Sequence, residues 1–559
     1  MSIFSASDLV ELFLAALLSA IVIIGRPFIE PYARTLASKT AWCMLLLALL
    51  PIALRVALLA NHPPPAPEVY DEFGHLLVAD TLLHFRLANP PHPLSQFFET
   101  FFVLQRPAYA SIYPLGQGIM LAIGKAIFGL PWAGVLLSTS ALCALCYWML
   151  RGWTTPGWAL VGGILTVIEF GPLCGWMNNY WGGSLAAAAG CLIFGALPRL
   201  RSSSRLRDGA FLGIGLAIHW LTRPYETIFL AIATLFFFLP AVRSEHARSL
   251  LKPALAAALV LIPAAGLSLL QNKQITGAWT TLPYMLSRFQ YGVPASFTWQ
   301  PNPVPHLELT REQQLDYKMQ TSFHGNGTET IGSYFQRLEY RIRFYRFFFL
   351  APLYVALPFF FPSLREWRFK SVALTLLLFA LGVNFYPFFE VHYLAVLTCL
   401  FVLVSITGLQ RLSHWNDAGL LVIFLCFAHF VFWYARSFTD PRAPDPRVAV
   451  SQQLSEAPGR QLVFVRYWPQ HIFQKEWVYN EADIDHARIV WARDLGSAED
   501  QKLLAYYPDR RAWLLEPDAM PPKLGPYHAE EAPKPQPATA PATPAPHHPP
   551  PPLRFEQVH

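Results

Sequence analysis

The chain of 559 residues is 54% hydrophobic and 14% charged, and its mean hydropathy is +0.33. A soluble domain is about one quarter charged, so this balance indicates a membrane protein. The net charge of +6 is small for the length, and no stripe of basic and aromatic residues favours nucleic acid as a partner. All seven cysteines lie in or beside apolar segments, which excludes a disulfide framework and a thiolate metal site.

Apolar runs of roughly 17 to 25 residues, the length that a helix needs to cross a bilayer, recur along the chain up to residue 434. We predict an all-α polytopic membrane protein with about 11 to 13 transmembrane helices by this length rule. Pro224 interrupts one run, which predicts two short helices or a kinked pair there. The runs are 9–25, 40–60, 112–130, 132–150, 157–173, 183–198, 209–240, 252–270, 345–361, 369–385, 391–408 and 417–434.

Lysine and arginine in short loops predict the orientation, because such loops stay in the cytoplasm. The basic segments predicted to be cytoplasmic are 26–39, 199–207, 242–252 and 365–370. The segments predicted to be external are 62–111, 271–344, the turn 385–393 and everything after residue 435. Four predicted segments lie between residues 112 and 198, and an even number cannot carry the chain from outside to inside. We therefore expect that one of the four fails to cross.

The composition divides the chain into four parts. Residues 1–39 read as an N-terminal anchor with a cytoplasmic connector, and 40–434 as the transmembrane domain with external loops 62–111 and 271–344. Short strand patterns such as "QLVFVRYW" and "ARIVWARDL" predict a small external α/β domain at 448–520. The remainder, 521–559, is a Pro-rich tail that we expect to be disordered.

An acidic segment follows the rigid connector "NHPPPAPE". The sequence "YDEFGHLLVADTLLHF" has helical periodicity and holds Asp71, Glu72, His75 and Asp80 beside a predicted membrane helix. An interfacial amphipathic helix whose acids face water would also fit, but such helices prefer Lys and Arg. Acids at a helix start are held by the helix dipole, and a fixed carboxylate can accept a proton from a hydroxyl at neutral pH. The segment therefore predicts a functional site.

These acids and the segment "RPAYASIYPLGQGIMLAIGKAIFG" (106–129) resemble the GT-C membrane glycosyltransferases, which include protein O-mannosyltransferases and lipid A aminoarabinose transferases. Tyr113, Pro114 and Gly116 match an aromatic–Pro–small sequence of that group, and "TGAWTTLPY" (276–284) and "HYLAVL" (392–397) are also similar. The resemblance covers roughly residues 40–434. An extra N-terminal segment and the absence of a clear second acidic motif depart from it.

The resemblance implies a bacterial enzyme of the cytoplasmic membrane, acting on its external, periplasmic side. Such an enzyme takes a sugar from a polyprenyl-phosphate carrier in the bilayer and transfers it to an acceptor glycan, lipid or protein. Asp71 is the implied general base, with Glu72 as its substitute or as the group that orients the acceptor. Neighbouring helical positions point about 100° apart, so the two acids have different tasks.

The leaving phosphate needs cations, for which the planar guanidinium of arginine is best suited. Arg223 lies between two apolar segments, where an unpaired charge is costly, so we expect Glu226 or a bound anion as its partner. The predicted substrate and phosphate contacts are His75, Asp80, Arg106, Tyr113, Arg223, Glu226, Arg341, Arg343, His392 and Tyr393. Arg341 and Arg343 would also fit arginines that snorkel to headgroups, and His392 a hydrogen-bonded interfacial histidine.

Three alternatives stay open. A transporter or flippase of a lipid-linked or anionic substrate would use the broken segment around Pro224, although no paired halves are visible. A silent envelope assembly protein would bind its partner through 448–520. A divalent metal on Asp71 and His75 is conceivable because they stand four residues apart, but no third ligand is identifiable.

Overall fold

The computed structural model describes residues 6–242, 245–325, 327–414 and 418–528. The chain divides into two compact units. The first, here called the membrane unit, comprises Met1–Pro91 and Phe101–Ala443, and the second, the C-terminal unit, comprises His92–Thr100 and Pro444–His559. The predicted Pro-rich tail lies, except for 521–528, outside the described residues.

In the described part of the membrane unit, the regular secondary structure is helical apart from one short two-stranded antiparallel sheet. Its helices are α1 (Ala6–Ser38), α2 (Thr40–Ala57), α3 (Tyr70–Leu83), α4 (Leu115–Phe128), α5 (Trp132–Leu150), α6 (Pro156–Phe170), α7 (Ser184–Ser203), α8 (Leu206–Thr222), α9 (Pro224–Val242), α10 (Leu251–Thr276), α11 (Pro283–Tyr291), α12 (Arg311–His324), α13 (Ile331–Ile342), α14 (Trp367–Val383), α15 (Thr398–Leu412) and α16 (Ala418–Ser437), and its strands are β1 (Val103–Leu104) and β2 (Ala110–Ser111).

Seven helical segments are long and apolar enough to cross a membrane, within the part of the chain that the structure describes. They are Leu9–Ser38, Thr40–Ala57, Trp132–Leu150, Ser184–Ser203, Arg248–Thr276, Val391–Leu412 and Ala418–Ser437, and three shorter apolar helices are Leu115–Phe128, Pro156–Phe170 and Pro224–Pro240. The protein is therefore a multi-pass membrane protein.

Two predicted segments differ in form from the expectation. The expected connector at 26–39 is helical as far as Ser38, because Glu30 forms ion pairs one turn away with Arg26 and Arg34. The apolar run 345–361 consists of 3-10 turns rather than an α-helix. Prolines recur in this run, and each one lacks the N–H that would continue an α-helical ladder.

Helix α4 has 14 residues, fewer than a helix needs to cross a bilayer, and both of its ends lie beside the loop 171–183. At its start, Gln117 donates to the Tyr180 carbonyl at 3.0 Å. Just after its end, Trp132 donates through its indole N–H to the Met177 carbonyl at 2.9 Å. A helix that crossed the bilayer would hold these two contacts on opposite faces. Among the four predicted segments, the run 112–130 is therefore the one whose contacts fit a helix that does not cross.

Helix α5 does cross, antiparallel to α2. The Arg55 guanidinium at the end of α2 lies 4.7 Å from the ring of Trp132, where α5 begins. At the other end of α5, Arg151 donates to Thr40 Oγ1 at 2.7 Å, where α2 begins. Three helices (α5, α6 and α7) then lead from the loop after α4 to the basic segment 199–207, an odd number, as the predicted orientation requires. We call the face that carries α3, α4 and loop 171–183 the α3 face.

The C-terminal unit contains a four-stranded sheet flanked by helices. Its elements are α17 (Pro446–Glu456), β3 (Arg460–Val465), β4 (Ile489–Arg493), α18 (Ser497–Tyr506), β5 (Arg510–Glu516) and β6 (Lys523–Pro526). The strand order is β4-β3-β5-β6, with β3 parallel to both neighbours and β6 antiparallel to β5. Every residue of β3 except the first is buried, as expected for a central parallel strand.

Candidate active site

Helix α3 begins at a carboxylate that is fully engaged by the backbone. Glu72 Oε2 accepts from the N–H groups of Glu68 at 2.8 Å and Val69 at 3.2 Å, which are otherwise unpaired at the helix start. Its Oε1 accepts from the Tyr180 N–H at 2.8 Å. The side chain is buried, and these three bonds fix α3 to the loop 171–183. Glu72 therefore anchors the start of α3, where Asp71 lies.

Asp71, one position earlier, lies against Tyr113. The Tyr113 hydroxyl donates to Asp71 Oδ1. The Tyr113 ring also lies over His75, with 4.4 Å between the ring centroids. Gly74 makes this packing possible, because a Cβ at that position would lie 2.6 Å from Tyr113 Cδ2. Asp71, Gly74 and His75 of α3 thus all contact the same tyrosine.

The environment separates the pKa values of these groups. Burial raises the pKa of Asp71 to about 6, although the Tyr113 hydrogen bond and the charge of Arg223 oppose the rise. Burial raises the pKa of Glu72 to about 7 against its backbone hydrogen bonds. Burial, aided by Arg223, lowers the pKa of His75 to about 3. At neutral pH Asp71 is an anion and His75 is neutral, so His75 would contact a phosphate only as a neutral imidazole.

Arg223 lies at the junction of α8 and α9, on the α3 face. Each helix has at least 17 residues, so the predicted half-helices are long helices joined by a tight turn. Arg223 Nη1 pairs with Glu226 Oε1 at 3.2 Å, and the guanidinium lies 4.4 Å from the centre of the Tyr393 ring. Glu226 is 2% exposed, whereas 22% of the Arg223 side chain stays exposed. The Arg223 side chain is therefore not fully enclosed by its partners.

The start of α4 connects Tyr113 to this junction. A Cβ on Gly116 would lie 2.4 Å from Thr222 Oγ1 and 2.9 Å from the Leu221 carbonyl oxygen. Glycine at this position lets α4 approach the last turn of α8 directly before Arg223. The charge of Arg223 lowers the pKa of Asp71, which places the acid and the guanidinium within electrostatic reach of each other.

The turn before α15 supplies an acid that the sequence did not single out. Glu390 is half-buried, and burial together with the charge of Asp71 raises its pKa to about 7. No described residue forms a hydrogen bond or ion pair with its carboxyl group. His392, two residues later, is buried with its ring 5.6 Å from Trp181, and Tyr393 lies under Arg223. The predicted residues 392 and 393 thus reach the site together with Glu390.

The charge of Asp71 contributes to raising the pKa of two further residues, Tyr284 and Asp316. Tyr284 at the start of α11 packs edge-on against Tyr113, with 5.9 Å between centroids. Asp316 on α12 is fully buried, and burial raises its pKa to about 7. Its Oδ2 accepts from Gln320 Nε2 at 2.9 Å, and its Oδ1 has no partner among the described residues. Both residues belong to the loop 271–344, which was predicted to be external and where the sequence offered no clear acidic motif.

Two of the predicted contact residues, Asp80 and Arg341, have partners within the fold, and two, Arg106 and Arg343, are exposed. Asp80 is paired with Lys125 of α4 at 2.8 Å, which joins α3 to α4. Arg341 is buried and donates to the carbonyls of Val383, Tyr386 and Pro387. This contact holds the turn that carries Glu390. Arg106 and Arg343 are exposed at the surface, so neither forms part of the cluster around Arg223.

A metal site is not evident in this arrangement. Within the described ranges, no group of three or more His, Cys, Asp or Glu side chains could hold a metal ion. In the Asp71–His75 pair, Asp71 receives the Tyr113 hydroxyl and His75 packs against the ring of the same residue. A divalent ion therefore has no assigned ligand set here.

No family model matches the chain, and no curated protein matches it. The fold is similar to the crystal structure of ArnT from Cupriavidus metallidurans in the apo state, with a TM-score of 0.51, 10% sequence identity and coverage of 86% of this chain and 93% of that chain. The same protein bound to undecaprenyl phosphate gives a TM-score of 0.50 at 10% identity with the same coverage.

The archaeal oligosaccharyltransferase AglB from Archaeoglobus fulgidus, in complex with an inhibitory peptide and a dolichol-phosphate, gives a TM-score of 0.42 at 11% identity, covering 85% of this chain and 69% of that chain. The fold assignment rests on the two ArnT structures. The chain is a multi-pass membrane protein with the GT-C fold, and the resemblance noted in the sequence is confirmed at the level of the fold.

Proposed function

We propose that this protein is a membrane glycosyltransferase that moves a sugar from a polyprenyl-phosphate carrier to an acceptor hydroxyl on the outer face of the bacterial cytoplasmic membrane. One observation carries the proposal: the acid Asp71, bonded to Tyr113, lies within electrostatic reach of Arg223, a partly exposed side chain that directly follows the helix turn packed on Gly116. The ArnT neighbour bound to undecaprenyl phosphate supports a lipid phosphate as the carrier.

Asp71 acts as the general base. With a pKa of about 6, it is ionised at neutral pH and close enough to that pH to accept a proton as the bond forms. The acceptor oxygen attacks the anomeric carbon, its proton passes to an Asp71 carboxylate oxygen, and the bond from the anomeric carbon to the phosphate oxygen breaks. The products are the glycosylated acceptor and the polyprenyl phosphate.

Arg223 stabilises the phosphate that leaves. Its ion pair with Glu226 and its position over Tyr393 hold the guanidinium in one orientation. Its remaining donors are free to form charge-assisted hydrogen bonds with phosphate oxygens as negative charge develops there. Tyr113, His75 and His392 would surround the sugar as neutral groups, and Glu390 would donate or accept a hydrogen bond there according to its protonation.

The test is sugar transfer by the full chain in lipid nanodiscs, with release of polyprenyl phosphate followed by mass spectrometry. We expect Asp71→Asn to fold and to lower release by at least about 100-fold, the contribution of a general base. Asp80→Asn is the matched control on the same helix, and its effect should be milder because Asp80 pairs with Lys125.

The outcomes separate the reaction from the base. Equal release by wild type and Asp71→Asn would keep the reaction and reject Asp71. No release from any polyprenyl-phosphate sugar would reject the transferase and favour the transporter or flippase considered above. The same panel of donors would name the sugar.

A further inference from the structure

The junction between α8 and α9 is held by a hydrogen-bond network that engages the backbone of Arg223. The Arg223 N–H donates to the His219 carbonyl at 2.6 Å, which closes the last turn of α8. Arg223 itself leaves the helical conformation, with φ −146° and ψ 79°. Pro224 then begins α9, where its missing N–H is not needed. Arg223 is thus the single non-helical residue between the two helices, and its backbone conformation sets the direction of its side chain.

Thr227 holds the other backbone group of Arg223. Its hydroxyl donates to the Arg223 carbonyl at 2.9 Å, and its N–H points to the same oxygen at 3.3 Å. Thr227 is 6% exposed, so no water competes for this hydroxyl. Rotation of the Arg223 peptide would break both contacts.

His219 completes the network. Its Nδ1 lies 2.7 Å from Thr227 Oγ1. Because the single hydroxyl hydrogen of Thr227 is committed to the Arg223 carbonyl, Nδ1 must carry the proton and donate. Nε2 is buried and has no partner in the described part of the chain, so it is an unprotonated acceptor. The network thus fixes the tautomer of a histidine that is fully buried.

We infer that His219 and Thr227 are positioning residues that aim the Arg223 guanidinium at the phosphate, a role that rests on the function proposed above. Thr227 bonds the carbonyl of Arg223, and His219 bonds the N–H of Arg223 through its carbonyl and Thr227 through its ring, so both act through the backbone of Arg223. A cation that binds phosphate through a planar fork requires correct direction, and a displacement of about 1 Å weakens such a contact strongly.

The experiment measures binding of undecaprenyl phosphate to the full chain in nanodiscs. Thr227→Val keeps the shape and removes the hydroxyl, and Thr227→Ser keeps the hydroxyl as the matched control. We expect Thr227→Val to weaken binding about tenfold, as misdirection of one charge-assisted contact would, and Thr227→Ser to bind like wild type. His219→Leu cuts the same network from its other end and should weaken binding by the same factor.

A double-mutant cycle separates positioning from general destabilisation. In an Arg223→Ala background, Thr227→Val should have no further effect, because there is no guanidinium left to aim. Additive losses, or wild-type binding by both Thr227→Val and His219→Leu, would overturn the positioning role while Arg223 remains. Equal binding by wild type and Arg223→Ala would overturn the phosphate role of Arg223, and the positioning role with it.

Discussion

The hydroxyl of Tyr113 holds the proposed base as a carboxylate. Burial pushes the pKa of Asp71 upward, and the hydrogen bond from Tyr113 is the first of the two effects that oppose it. A donor bonded to the charged form of an acid stabilises that form. Tyr113 is itself held in place by packing on Gly74 and His75, so the opposition is built into the fold.

Tyr113→Phe should therefore move the acid limb of the pH–rate profile. The base is active when ionised, so transfer rises with pH through the pKa of Asp71, about 6. Without the donor that pKa rises, and the limb should move upward by about one pH unit, the equivalent of one charge-assisted hydrogen bond. The measurement is kcat/KM between pH 5 and 8. An unchanged limb would mean that Asp71 is not the titrating base.

The ionisation of Glu390 should give donor binding a pH dependence of its own, separate from that of Asp71. Its pKa of about 7 makes it neutral below that pH and anionic above it, where its charge opposes an anionic phosphate near Arg223. We expect the donor KM of the wild type to increase above pH 7, and that of Glu390→Gln, which carries no charge, to stay constant. Donor titrations at pH 6 and 8 check this, and identical profiles for the two proteins would contradict it.

Only some of the residues in the candidate site could be predicted from the sequence. Asp71 follows a rigid Pro-rich connector at a helix start, and Arg223 precedes a proline, so both carried local signals. Glu390 lies in an aromatic turn with no motif, and only folding brings it near Asp71. Asp80 and Arg341 had the right charge for a site, but Lys125 and the carbonyls after α14 occupy them. Such partners are distant in sequence and cannot be read from it.

The start of α3 depends on Glu72 as a three-way acceptor. Replacing it by Gln leaves one oxygen and puts an NH2 group against backbone donors. We expect Glu72→Gln to lower the free energy of unfolding by about 2 kcal/mol or more, because each buried N–H without an acceptor costs about 1–3 kcal/mol. The melting temperature in detergent reports this. Glu68→Gln, which alters an exposed ion pair with Arg442, is the control and should change it little. Equal melting temperatures for wild type and Glu72→Gln would contradict the role.

The topology of the whole chain turns on α4, which has the composition of a spanning helix but lies on one face. Hydropathy alone could not identify it, since the evidence is two side-chain bonds to loop 171–183. The GT-C architecture, by contrast, was predictable because it needs only repeated apolar runs and an acidic loop. The sequence alone did not determine how many of the segments between residues 112 and 198 cross the membrane.

Cysteine labelling in sealed vesicles tests this topology. All seven native cysteines are buried, so an impermeant maleimide should react mainly with an introduced thiol. Leu130→Cys, after the end of α4, should be labelled from the same side as Arg106→Cys, before its start. Ser203→Cys, at the end of α7, should be labelled from the opposite side. Labelling of positions 106 and 130 from opposite sides would show that α4 crosses.

The bond between Glu72 and Tyr180 also has a consequence for how the chain is made. The two residues are 108 positions apart, so at the usual rate of about 5 to 20 residues per second Tyr180 emerges several seconds or more after Glu72. Until then α3 is held only by earlier contacts such as the Asp80–Lys125 ion pair, and α4 lacks its Gln117 bond to Tyr180. Helices α5 and α6 are made in this interval. The α3 face is therefore completed only after the loop between α6 and α7 has been made, and this loop contacts a pair of helices that were synthesised before it.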